Sequence, residues 1–171
     1  MPKATFLNLN ADKKEKISQV LLEEFSTYSL LDANVNHIVR AAGIARGSFY
    51  TYFADLDDAY RYTLSQVMVT IHEAFVGDNP FQATRSFIDQ VEQNLYYAFL
   101  SNYYVVNEAI LAAHHQETSS TNWDKATDDL PQWLADVAVH HLIREYFLAP
   151  TDKNQILLLL DALAGWHKQE V

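Results

Sequence analysis

Apolar residues recur at helical spacing along almost the whole chain. Ile17, Val20, Leu21 and Phe25 follow one helix face, with Asp12 placed to cap it and Glu15 completing a capping box. Val35, Ile38, Val39 and Ala42 form a shorter stripe, capped by Asn34 and ended by Gly43, where a left-handed terminus favours glycine. A third helix is expected over Arg46–Phe53, and Asp55 opens a long fourth one carrying Tyr60, Leu64, Val67, Met68, Ile71 and Phe75. Gly77-Asp78-Asn79-Pro80 breaks the pattern. A helix with Phe87, Val91, Leu95, Ala98 and Phe99 follows, up to a turn expected at Ser101-Asn102. Val105, Val106, Ala109, Ile110 and Ala113 start the next, and the polar stretch Gln116–Asn122 reads as a loop. Pro131 suits a first helical turn ahead of Trp133, Val137, Ala138, His141, Leu142 and Tyr146. After Pro150, Thr151 or Asp152 can cap a last helix with Ile156 through Leu160, Leu163 and Trp166. The pattern predicts an all-α fold.

Composition narrows the class. Hydrophobic residues make up 49% of 171, enough for a core, and only 4 Gly and 4 Pro argue against a loop-rich β protein. Without cysteine there is no thiolate nucleophile, disulfide or Cys-ligated zinc. No apolar run approaches the roughly 20 residues of a membrane span, and residues 1–10 hold no signal core, so a soluble, cytoplasmic protein without a membrane partner is expected.

A net charge of −10 argues against nucleic acid until its distribution is considered. Residues 1–65 carry seven basic and eight acidic side chains, whereas residues 66–171 carry five and fourteen. From Val35 to Phe53 the charged residues are Arg40 and Arg46, with no acid. Lys13, Lys14 and Lys16 add a second basic cluster. Because salt screens charges beyond about 8–10 Å, a locally positive face can meet phosphate despite an acidic body.

Two short helices joined by a tight turn containing Gly43 make a helix-turn-helix. Ala41 and Ala42 permit close approach, Ile44 fills the corner, and Phe49 and Phe53 point inward. The second helix is then expected to present Arg46, Ser48, Thr51 and Tyr52, with Tyr50 beside them and Gly47 allowing close approach of the backbone. Arginine can read guanine, and hydroxyls bond bases or phosphate. Asn36, His37 and Arg40 on the preceding helix are candidate positioning contacts, although His37 could equally be a solvated helix residue.

Phe25, Val35, Ile38, Ala42-Gly43-Ile44, Gly47-Ser48-Phe49-Tyr50 and Tyr52-Phe53 together resemble the tetracycline-repressor (TetR) family of regulators. The resemblance is close over roughly residues 11–65. It implies an N-terminal three-helix, homeodomain-like DNA-binding domain (1–55) and a C-terminal helical effector-binding and dimerisation bundle (56–171). It also implies a homodimer on double-stranded DNA and a phosphate contact at Tyr50. The chain departs from the family pattern at Ala45, where a capping serine is usual, at Leu56, where lysine is usual, and at Ala59, where leucine is usual.

The C-terminal body is rich in aromatics. Tyr96, Phe99, Tyr103, Tyr104, Asn107, Trp123 and Trp133 are the candidate lining of a pocket for a small hydrophobic or aromatic effector, against the alternative of a core built from large side chains. His114-His115 and His140-His141 raise a metal site, and Asp136/His140 and His141/Glu145 each share a helix face at i,i+4. No Glu-x-x-His or His-Glu-x-x-His motif occurs, however, and adjacent histidines point in different directions, so no metal or cofactor is expected. No Gly-rich phosphate loop or Gly-x-Ser-x-Gly elbow occurs, and no catalytic residue is assigned. Ile156 to Leu160 is apolar around more than one face, which fits burial on a core and on a partner copy, or a fully internal helix. The expected function is a ligand-responsive repressor on a palindromic operator. The alternative is a helical protein of the same fold that recruits a protein partner and binds DNA weakly or not at all.

Overall fold

The computed structural model describes residues 1–75, 79–114 and 127–170. Those residues form helices and turns, with no strand among them. They fall into two compact units: Met1–Ile71 with Ala98–His114, and His72–Tyr97 with His115–Val171.

In the first unit, α1 (Ala4–Leu7) is followed by α2 (Ala11–Thr27), α3 (Val35–Ala42), α4 (Arg46–Tyr52) and α5 (Leu56–Ala74), whose last turn belongs to the second unit. Asn10, not Asp12, caps α2: its side chain accepts from the Lys13 N–H at 2.9 Å. Asn34 caps α3 as expected, accepting from Asn36 N–H at 2.8 Å. Gly43 closes that helix at φ 69°, the conformation glycine adopts without steric cost. Asp55 accepts from Asp58 N–H at 2.8 Å at the start of α5. Ile17, Leu21, Phe25, Ile38, Phe49, Phe53 and Tyr60 are buried together with Phe6, which the apolar pattern did not single out.

The helix break expected at Ser101-Asn102 falls earlier. In the second unit, α6 (Pro80–Gln90) passes into a 3-10 turn at Val91–Gln93, and Asn94 then bonds Tyr96 N–H at 2.8 Å, an Asx turn that ends the run. From α7 (Tyr97–Asn102) the chain continues through a π-helical turn (Tyr103–Asn107) into α8 (Glu108–His114). Asn102 stays helical because its side chain has a tertiary acceptor: Nδ2 donates to the Phe25 carbonyl at 3.2 Å.

The second unit is built around α6, which packs on α9 (Leu130–Leu148) and α10 (Lys153–Glu170). Asp129 caps α9 with Pro131 in the first turn, and a 3-10 turn at Pro150–Asp152 precedes α10. Asn79 caps α6 through Oδ1 and donates its Nδ2 to the Ala164 carbonyl at 3.1 Å. Glu92 accepts from the Tyr146 hydroxyl at 3.0 Å and from Lys153 at 3.3 Å, and these two partners hold its carboxyl below the usual carboxylate range. Arg85 and Asp161 pair at 2.7 Å between α6 and α10. Ile156 and Leu160 are buried whereas Leu158 is 71% exposed, so α10 is not a fully internal helix. Among the described residues, no helix is long and apolar enough to cross a membrane.

Candidate nucleic-acid interface

Helix α3 packs on α2 and α4 packs on α3, joined by the left-handed Gly43. Phe49 and Tyr52 of α4, and Phe53 just after it, share the inward side at i, i+3 and i+4 spacing and are buried. The outward side carries Arg46, Gly47, Tyr50 and Thr51, all exposed, with Ser48 half-buried. Tyr52 therefore departs from the expectation. Its ring lies 5.9 Å from Phe6, with Lys13 Nζ 5.9 Å from its centroid, so it supports the helix from behind.

The exposed residues are partly pre-arranged. Arg46 Nη1 donates to Asn36 Oδ1 at 3.0 Å, joining a base-reading candidate on α4 to a positioning candidate on α3. The Thr51 hydroxyl donates to the Ser48 carbonyl at 2.7 Å, leaving its oxygen lone pairs outward. Tyr50 is 42% exposed and stands edge-on to Phe49. Arg40 is exposed in the last turn of α3. His37 is held on its own element pair: its Nδ1 lies 3.2 Å from Glu24 Oε1, and its ring meets Tyr28 at 5.4 Å. The same Glu24 oxygen accepts from Asn34 N–H at 2.8 Å, tying α2 to the cap of α3.

Two glycines differ in what surrounds them. A Cβ on Gly43 would be strained by the positive φ, and Lys16 Nζ lies 3.7 Å from that position. A Cβ on Gly47 would meet nothing within 4 Å. Glycine inside a helix costs about 0.5–1 kcal/mol relative to alanine. Nothing among the described residues fills the space beside Gly47.

The candidate pocket residues are divided between the units. Phe99 and Asn107 are fully buried in the first: Phe99 stacks on Tyr60 at 5.5 Å, and Asn107 Oδ1 accepts from Leu30 N–H at 2.8 Å. These are packing and positioning roles. Tyr103 and Tyr104, 4.9 Å apart and half-buried, lie in the same unit. Burial pushes the hydroxyls of Tyr60 and Tyr104 well above the ordinary tyrosine range, keeping both neutral. Tyr96 and Trp133 are half-buried in the second unit, and Trp123 lies outside the described residues. His114 Nδ1 lies 2.8 Å from Asp57 Oδ2, and His140 Nδ1 lies 2.7 Å from the Asp136 carbonyl.

Sequence reasoning missed Lys3, Thr5 and Phe6. A lone phenylalanine among polar residues carries no periodic signal, and contacts more than 40 positions away in sequence are invisible to local pattern.

No family model matches the chain. A stretch of 89 residues is 34% identical to the uncharacterised HTH-type transcriptional regulator YvdT of Bacillus subtilis (strain 168). That stretch covers 47% of this chain and 41% of YvdT, less than half the relative's length. A solved TetR family transcriptional regulator from Chloroflexus aurantiacus J-10-fl is similar over 96% of this chain and 97% of its own, with TM-score 0.51 and 24% identity. The Streptomyces coelicolor protein SCO4942 is similar over 92% of this chain and 97% of its own, with TM-score 0.52 and 15% identity. The chain has the all-α fold of the TetR-family transcriptional regulators.

Proposed function

We propose that this protein is a cytoplasmic DNA-binding transcriptional regulator, a homodimeric repressor that places α4 of each copy in the major groove of a palindromic operator. One observation carries the reading: α4 has an exposed polar side with Arg46 held by Asn36, and an unobstructed glycine at Gly47 where a duplex would approach most closely. Arg46, Ser48 and Thr51 are the base-reading residues, and Tyr50 contacts phosphate. Asn36, His37 and Arg40 set the register of the helix on the backbone. The DNA-binding domain is residues 1–55, and residues 56–171 carry the effector and dimer functions.

The homodimer is supported by apolar residues left uncovered on the last two helices. Leu130, Leu134, Val137 and Leu148 on α9, and Leu158, Leu159 and Trp166 on α10, are each at least 40% exposed. Such a two-helix face from each of two copies closes into a four-helix bundle. The half-buried Tyr103 and Tyr104 make suitable contacts for a small aromatic effector. An effector shifts the dimer between conformations only by its differential affinity for them. The acidic C-terminal stretch and the uncapped start of α4 at Ala45 favour a second reading, recruitment of a protein partner.

A salt titration on duplex DNA separates the two. Counterion release makes the affinity of a DNA binder fall steeply between about 50 and 200 mM salt. Binding that is absent at low salt, or flat with salt, supports the protein-partner reading instead.

A further inference from the structure

The last four carbonyls of a helix have no partner within it, and a seven-residue helix such as α4 is too short to hold itself. All four are accounted for at the C-terminal end of α4, three of them by the N-terminal segment. The Phe49 carbonyl takes Phe53 N–H at 2.9 Å. The Tyr50 carbonyl accepts from Lys3 Nζ at 2.7 Å, the Thr51 carbonyl from the Thr5 hydroxyl, and the Tyr52 carbonyl from the Lys3 N–H at 2.8 Å. The Lys3 ammonium also sits at the negative end of the helix dipole.

The segment is anchored independently of these bonds. Phe6 is fully buried, its ring 4.8 Å from Phe53, 5.0 Å from Tyr62 and 5.9 Å from Tyr52. At the other end of α4, Ala45 provides no side-chain cap. The helix is therefore held from its C-terminal end, through carbonyls belonging to two residues that face the proposed duplex, Tyr50 and Thr51.

We propose that Lys3 and Thr5 are positioning residues for DNA reading: with Phe6 as anchor, they brace α4 and set the pose of Arg46, Tyr50 and Thr51. This rests on the DNA-reading assignment above. Neither residue needs to touch DNA. Without the brace α4 frays and tilts, so the loss falls on base-specific contacts and spares the charge-driven, sequence-independent part of binding.

Thr5→Val tests this without changing charge and with little change of shape. Two readouts are taken on the full chain: amide hydrogen exchange of residues 49–54 in the free protein, and affinity for the preferred duplex against a random duplex at one salt concentration. Faster exchange is expected, together with about 5-fold weaker binding to the preferred duplex and unchanged binding to the random one. Thr5→Ser should restore both. Lys3→Met should also speed exchange, and serves where Thr5→Val does not fold. Unchanged exchange in both variants overturns the brace, whatever happens with DNA. Faster exchange with an unchanged preference between the two duplexes overturns the positioning role. A wild-type protein that prefers no duplex brings down the DNA-reading assignment and this role with it, while the exchange result still decides whether the N-terminal segment holds α4.

Discussion

The exposed face of α4 and the exposed face of α9 and α10 are both uncovered, and they are built in opposite ways. On α4 the outward residues are polar, and Arg46 is held by Asn36 with no salt-bridge partner among the described residues. On α10 the outward residues are Leu158, Leu159 and Trp166, whose apolar surface gains from leaving water. A polar face of arginine, hydroxyls and an open glycine suits phosphates and base edges. An apolar two-helix face suits another apolar face, and the occupant proposed for it is a second copy of the same chain. The contrast teaches that exposure alone carries no function: what is left exposed, and what holds it in place, decides which occupant is proposed for each face.

The strongest way to break this contrast is to cut back the apolar face. Replacing both Leu158 and Trp166 with alanine should cost the dimer at least about 2 kcal/mol, enough to raise its dissociation constant roughly 30-fold or more, read by sedimentation. The fold of each copy should survive with a modest loss, since Leu158 is 71% exposed while Trp166, 40% exposed, packs partly within its own copy. On the polar face, Arg46→Ala should remove about 1–3 kcal/mol of specific DNA binding and relax preference at one base position, leaving thermal stability within about 0.5 kcal/mol. The smallest effect is the most diagnostic in sign. Gly47→Ala should stabilise the free protein by about 0.5–1 kcal/mol in denaturant unfolding, because a Cβ there meets nothing, and should weaken DNA binding at the same time. Stabilisation with no loss of binding would mean that the duplex does not come close at Gly47.

Legibility followed the range of the interactions. The span from Asn34 to Phe53 can be read because its signals are local: a capping residue at Asn34, a glycine at position 43 and the inward aromatics Phe49 and Phe53 one helical turn apart. Tyr52 does not face outward as expected, because its helical phase with Phe49 sends it inward. The break between α6 and α7 was displaced because Asn102 looks like a turn residue until the Phe25 carbonyl is seen to accept its amide. The same limit hid α1, whose partners lie on α4 and α5. In the body the candidate pocket residues are visible in the sequence, but their burial is not: Phe99 and Asn107 are fully buried whereas Tyr103 and Tyr104 are half-buried, and only the three-dimensional arrangement separates them.

The central claim is that two copies of α4 read one duplex. Selection of bound sequences from a pool of random duplex DNA, using the purified full chain at low salt, tests it most directly. The account predicts an enriched palindrome with half-sites about 10–10.5 base pairs apart, or a multiple of that spacing, and loss of one enriched base position in Arg46→Ala. A pool that stays random after repeated rounds, or an enriched site unchanged by Arg46→Ala, would contradict it.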